Sequence, residues 1–183
     1  MGLRRLRAVT EVLPGFSTGS ALSHDPAGTH QLVQSRHLKP GLPYHFQPED
    51  AVRFTPSLVV ERYLLRTGDV LFMSRGTRNV ASWLASIPHP SLAAPSFYIV
   101  RPGPELDSSY LCWYLNQPAM QRQLTEIRTG AGAPIIQRSA FQELLIPVPS
   151  RHEQQRIGAL GELMAREQLL LRELERTTDT LHD

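Results

Sequence analysis

All fifteen prolines of this 183-residue chain fall before residue 150. A proline inside a helix removes a hydrogen bond and collides with the turn before it. The run from Ser150 to Asp183, the longest without proline, is therefore the part of the chain best suited to a long continuous helix. Its entry is marked twice. Pro147 and Pro149 hold the backbone extended, and Ser150 and Glu153 stand at capping-box spacing. Thirty helical residues make a rod of about 45 Å.

The apolar positions of that rod fall in a heptad frame. Ile157, Met164 and Leu171 are seven apart, Leu160, Leu174 and Leu181 fill the companion positions, and Leu163 and Leu170 widen the stripe. Glu167 and Thr178 interrupt it. A one-sided apolar stripe must be buried against something. Two readings are open: a terminal helix folded back on its own domain, or an arm that pairs with another helix. Gly158 and Gly161 weaken the first turns or admit a close partner.

The remaining 149 residues are long enough for one domain with a core. The expected division is a globular domain over 1–149 and a dimerisation or spacer helix over 150–183. The expected class is α+β, a mixed β-sheet domain with short helices followed by the long helix. Strands are expected at 31–38, in two segments around Pro56 (AVRFT and LVVERYLL, with Val59 and Val60 in the core), at 70–73 and at 93–101. A helix over 108–128 should break or restart at Pro118.

Composition narrows the function. No apolar run is long enough to span a bilayer. The basic N-terminus lacks a signal-peptide core, so a cytoplasmic protein without membrane association is expected. Cys112, the single cysteine, sits in the apolar YLCWYL and reads as a buried small hydrophobe. Eighteen of the nineteen basic residues are arginine, Lys39 being the exception. Residues 1–150 carry fourteen basic and ten acidic groups; residues 151–183 carry five and seven. A basic globular part rich in bidentate donors suits phosphate and guanine.

Catalytic signatures are weak. Gly15-Phe16-Ser17-Thr18-Gly19 spells G-x-S-x-G, but a nucleophile elbow needs a buried strand before it and a helix after it; here Pro14 precedes and a polar loop follows. Gly130-Ala131-Gly132-Ala133-Pro134 reads as a flexible turn rather than a dinucleotide fingerprint. The seven histidines are scattered without ligand spacing. No cofactor, metal or enzymatic activity is expected.

The most suggestive loop is Ser74-Arg75-Gly76-Thr77-Arg78-Asn79, delivered by the apolar strand VLFM. Arginine pairs with guanine O6/N7 and asparagine with adenine N6/N7, and either can hold phosphate instead. Ser74, Arg75, Thr77, Arg78 and Asn79 are the first candidates for DNA contact. Arg36 and His37 are the second.

Four fragments in order, GDVLFMSRGT, APSFYIVRP, YLCWYLNQPAMQRQL and GAGAPIIQRSAFQELLIPVPSRHEQQRIGAL, resemble the target recognition domain of type I restriction–modification specificity subunits. The most specific piece is I-P-x-P followed by E-Q-Q-R-I, here Ile146 to Pro149 and Glu153 to Ile157. The resemblance implies a non-catalytic subunit that reads double-stranded DNA at a bipartite site. It implies docking of adenine methyltransferase (M) subunits on the helical region and association with a restriction (R) subunit. Members carry two recognition domains separated by two helices; this chain has one of each. The resemblance therefore implies pairing with a second copy or another half-subunit through Ile157, Leu160, Met164, Leu171, Leu174 and Leu181. The alternative is an assembly regulator that binds the methyltransferase through the helix and reads no DNA.

Overall fold

A computed structural model describes residues 2–17, 24–46, 52–87 and 90–180 of the chain, with side chains to residue 177. The chain opens with strand β1 (Gly2–Arg5), a single helical turn α1 (Leu6–Val9) and strand β2 (Thr10–Pro14). Strands β3 (His30–Val33), β4 (Pro43–His45) and β5 (Val52–Phe54) follow, then β6 (Val70–Met73), β7 (Ala81–Ser86), β8 (Ser91–Ala93) and β9 (Phe97–Pro102). The C-terminal part holds helices α2 (Ser108–Leu115) and α3 (Pro118–Glu126) and the hairpin β10 (Arg128–Thr129) and β11 (Ile135–Ile136). It ends with α4 (Arg138–Gln142), β12 (Leu145–Val148) and the long α5 (Arg151–Thr180).

The organising sheet has five strands in the order β2-β9-β6-β7-β4, antiparallel except for the parallel β7–β4 pair. A three-stranded sheet, β5-β3-β8, stands beside it. Side chains of a strand alternate between faces, and here both faces are covered. Val70, Phe72, Tyr98 and Val100 join the core beneath α2, α3 and α4. Leu71, Phe97 and Ile99 join a second core with Leu32, Phe54 and Leu92. This is why VLFM and FYIV are unbroken apolar runs rather than alternating ones.

Several local expectations hold. The restart at Pro118 is real: Asp107 caps α2 by accepting from the Ser109 and Tyr110 amides, and Pro118 occupies the first turn of α3. The capping box of α5 forms. Ser150 N donates to Glu153 Oε2 at 3.0 Å, and Glu153 N donates to Ser150 Oγ at 3.3 Å. Others are corrected. LVVERYLL is not a strand; it makes a 3₁₀ turn at Glu61–Tyr63, with Val60 and Leu65 buried but Val59 86% exposed. Bulky β-branched residues suit a strand only if a neighbouring strand receives them, and here none does. The strand at 31–38 stops at Val33 and gives way to a 3₁₀ turn at Ser35–His37.

α5 belongs partly to the globular body. Gln154 is buried, donates to the Glu105 and Pro149 carbonyls, and accepts from the Asp107 amide. A Cβ on Gly158 would land on Ser109 Oγ and 2.9 Å from Tyr110 N; one on Gly161 would land on the Trp113 ring. Gln154, Ile157, Gly158, Gly161 and Ala165 thus form a face of small or inward-turned residues against α2 and the Gly41 loop. Leu160, Leu163, Met164, Leu170, Leu171 and Leu174 are all half-exposed or more. At about 100° per residue their stripe is turned roughly 130° from the docked face. The reading of a helix folded back on its own domain therefore holds for one of its faces. Its first four turns fold back, through one face, and the leucine stripe is another face left outward. Ile157 belongs to the docked side, which removes it from the outward stripe; Leu181 lies outside the described residues.

Candidate nucleic-acid interface

The loop Ser74–Asn79 leaves the buried end of β6 and is held at both ends. Ser74 is buried; its amide and hydroxyl both donate to the Ser96 carbonyl, at 2.9 and 3.0 Å. Asn79 is buried, and its Nδ2 donates to the Met73 carbonyl at 2.9 Å, closing the loop across its neck. Gln121 of α3 donates to the Asn79 carbonyl at 2.8 Å. Gly76 takes φ +88°, which only glycine adopts without strain. Its amide donates to the Pro134 carbonyl at 2.8 Å.

These bonds sort the sequence candidates. Ser74 and Asn79 turn inward, Ser74 onto the Ser96 carbonyl and Asn79 through its Nδ2 onto the Met73 carbonyl, which corrects their expected place among the base readers: a small polar residue flanking a tight loop serves equally well as its brace. Arg75, Thr77 and Arg78 are exposed. Arg36 and His37 stand on the separate 3₁₀ turn after β3, where the Gln34 amide donates to His37 Nδ1 at 3.0 Å.

The structure adds residues that sequence reasoning missed. The β10–β11 hairpin lies along the loop: Ile136 N donates to the Ser74 carbonyl, and Arg75 bridges Ile135. Its turn, Gly130 to Pro134, is the turn expected from the sequence, with Gly130 at φ +93°. Arg128 at its base donates through Nη2 to the Thr77 carbonyl at 3.2 Å. Arg138 starts α4, just beyond the hairpin. Burial raises the Tyr98 phenol above its usual range, while Arg138 and Arg75 both pull it down. Two guanidiniums from distant parts of the sequence therefore act on one phenol, whose hydroxyl donates to the Ile136 carbonyl at 2.7 Å.

Among the described residues, Arg75, Arg78, Arg122, Arg128 and Arg138 have no carboxylate within ion-pairing distance. Some other arginines are paired: Arg5 and Arg7 share Glu143, and Arg101 makes a bidentate pair with the buried Asp69 at 2.9 and 3.0 Å. Arg36, Arg53, Arg66, Arg156 and Arg172 also lack an ion-pair partner among the described residues, but five of the unpaired arginines lie together on one loop, one hairpin and the two short helices beside them. Such a surface keeps its charge available for phosphates or guanine edges. The only signal in the sequence was the shortage of acidic residues from Arg128 to Arg138.

Nothing in this arrangement resembles a reaction centre. Ser17 follows β2, an edge strand rather than the central one that a nucleophile elbow requires, and Gly19 lies outside the described residues. Among the described residues no cluster of three or more His, Cys, Asp or Glu side chains could hold a metal. No described helix is long and apolar enough to cross a membrane.

No family model and no curated protein matches the sequence. Solved structures do match. A chain from a type I R-M system, solved for its complex assembly and conformational transition, aligns with TM-score 0.70 and 18% identity over 98% of this chain and 42% of that one. The HsdS subunit of Thermoanaerobacter tengcongensis aligns with TM-score 0.65 and 20% identity over 94% and 39%. The S subunit of the type I restriction–modification system of M. genitalium gives 0.60 and 15% over 98% and 43%. The chain spans about two fifths of the length of these proteins. The mixed sheets, the short helices and the long terminal helix together make an α+β fold shared with these type I restriction–modification S subunits.

Proposed function

We propose that this chain is a DNA-reading specificity subunit of a type I restriction–modification system. It brings an adenine methyltransferase (M) subunit, and a restriction (R) subunit where one exists, to a bipartite site in cytoplasmic DNA. It performs no chemistry of its own. One observation carries the reading: Arg75, Thr77 and Arg78 are presented on a loop braced from both ends, beside Arg128 and Arg138, and these arginines have no carboxylate partner among the described residues. A rigid loop loses little entropy on binding, and an unpaired guanidinium need not break an ion pair to meet DNA. Arg36 and His37 are a second, outlying contact.

The outward stripe of α5, Leu160 to Leu174, supplies the surface for a second copy or for another half-subunit. Paired helices would carry two heads, separated along the duplex by no more than one rod length, roughly thirteen base-pair steps at about 3.4 Å each. A homodimer would read a two-fold symmetric site.

The test is the pattern of adenine methylation in DNA from cells holding the methyltransferase with and without this chain. A gapped motif that appears only with the chain supports the reading, and its symmetry reports the pairing. If the chain co-purifies with the methyltransferase but changes no motif and binds no duplex at low salt, it is an assembly regulator instead.

A further inference from the structure

A groove of about 640 Å³ runs between the globular body and the far part of α5. One wall is the body: Thr77 and Arg78 of the reading loop, with Gln117 at the α2–α3 junction. The other wall is α5, where Gln168 and Arg172 overhang the opening. The overhang follows from the helix itself. Counting from Gly161, whose missing side chain lets α5 rest on Trp113, Gln168 and Arg172 are seven and eleven residues on. At about 100° per residue both fall within roughly 20° of the same azimuth. The docked face thus continues outward, but its small residues give way to long polar ones just where the body falls away beneath it.

Charge decides what the groove accepts. No carboxylate is among its described lining residues. Arg78 and Arg172 come from opposite walls, and neither has an ion-pair partner among the described residues. The groove is also continuous with the reading loop, since Arg78 belongs to both. Two guanidiniums lining one open, mildly apolar cleft suit a singly charged tetrahedral anion flanked by less polar groups, which is a phosphodiester between two sugars in a polynucleotide backbone.

We propose that this groove seats a backbone phosphate of the DNA, held between Arg78 of the head and Arg172 of the helix. The proposal rests on the DNA-reading function above and deepens it. The helix is then a DNA-contacting element as well as a pairing element, using two different faces for the two tasks. Arg78 and Arg172 fix the position of the strand and carry no base information, while Arg75 contributes to sequence choice.

The experiment is a set of duplex-binding titrations with the full chain, in the presence of the methyltransferase subunit. The target duplex and a random duplex are compared from about 50 to about 200 mM salt. Arg172→Gln should bind both about tenfold more weakly, and its slope of log affinity against log salt should be shallower by about one. Arg166→Gln is the control: Arg166 lies on another side of α5, paired with Glu162 at 3.0 Å, and should bind like the wild type. A scan of neutral methylphosphonates along each strand should find one position where wild type and Arg172→Gln bind equally. If Arg172→Gln binds with wild-type affinity and slope, or if it loses self-association while keeping DNA affinity, the groove is not a phosphate seat. A wild-type chain that binds no duplex at all overturns the DNA-reading function, and this site with it.

Discussion

Replacing Gly158 with alanine should destabilise the protein, against the ordinary preference of helices for alanine. In an exposed helix interior the change gains about 1 kcal/mol, because alanine loses less backbone freedom and covers the peptide. At Gly158 the new methyl would land on Ser109 Oγ and 2.9 Å from both Ser109 Cβ and Tyr110 N. Tyr110 N is backbone, and Tyr110 cannot drift: its ring is buried, and its hydroxyl donates to the Pro147 carbonyl at 2.8 Å. The overlap must instead lift α5 off α2. Forcing a methyl into a packed contact costs about 1 to 3 kcal/mol, and a backbone neighbour puts this case near the top of that range. The net loss is then about 2 kcal/mol, or roughly 4 to 8 °C in melting temperature for a chain of this size. Gly161→Ala should cost less, since its obstacle is the half-buried Trp113 side chain. Ala159→Gly, on the exposed side, should lose only the propensity of about 1 kcal/mol. Urea and thermal unfolding of the three variants check the order. A Gly158→Ala protein more stable than the wild type would refute the docking of α5 on α2.

Three further outcomes are expected. Asp69→Asn leaves Arg101 without its bidentate partner at a site where Asp69 is 1% exposed, and should cost roughly 3 to 5 kcal/mol in denaturant unfolding; a loss below about 1 kcal/mol would show that the pair behaves as a surface one. Leu171→Glu places a charge in the middle of the outward stripe and should shift the protein toward monomer in sedimentation while leaving the melting temperature of the globular body unchanged, since Leu171 is 53% exposed. Burial pushes the Cys112 thiol up to about 12, so at pH 8 it is the protonated form that sits in the core, and iodoacetamide should label it only in denaturant; rapid labelling of the native protein would contradict that burial.

How much was legible in advance differs from element to element, and the reason is the range of the interactions involved. The long helix, its capping box and the break at Pro118 were readable because capping and proline act over three or four residues. LVVERYLL misled because strand preference is settled by a partner strand, which local sequence does not contain. The loop at 74–79 was found from its letters, yet which of them face outward was not: Ser74 and Asn79 are turned in by Ser96 and Met73, and Ser96 is twenty-two residues away.

By itself, then, the sequence determined a basic head, a long proline-free helix and an arginine-bearing loop at the end of a buried strand. Only the tertiary structure decided that the helix has a docked face and a separate outward one, because Gly158 and Gly161 become contacts only when Ser109 and Trp113 arrive against them. It alone decided that Arg128 and Arg138 join the loop, since a hairpin and the short helix after it, more than fifty residues downstream of Arg75, carry them there. Local chemistry writes propensity into neighbouring residues, whereas the gathering of like charges on one surface has its cause in packing that spans the chain.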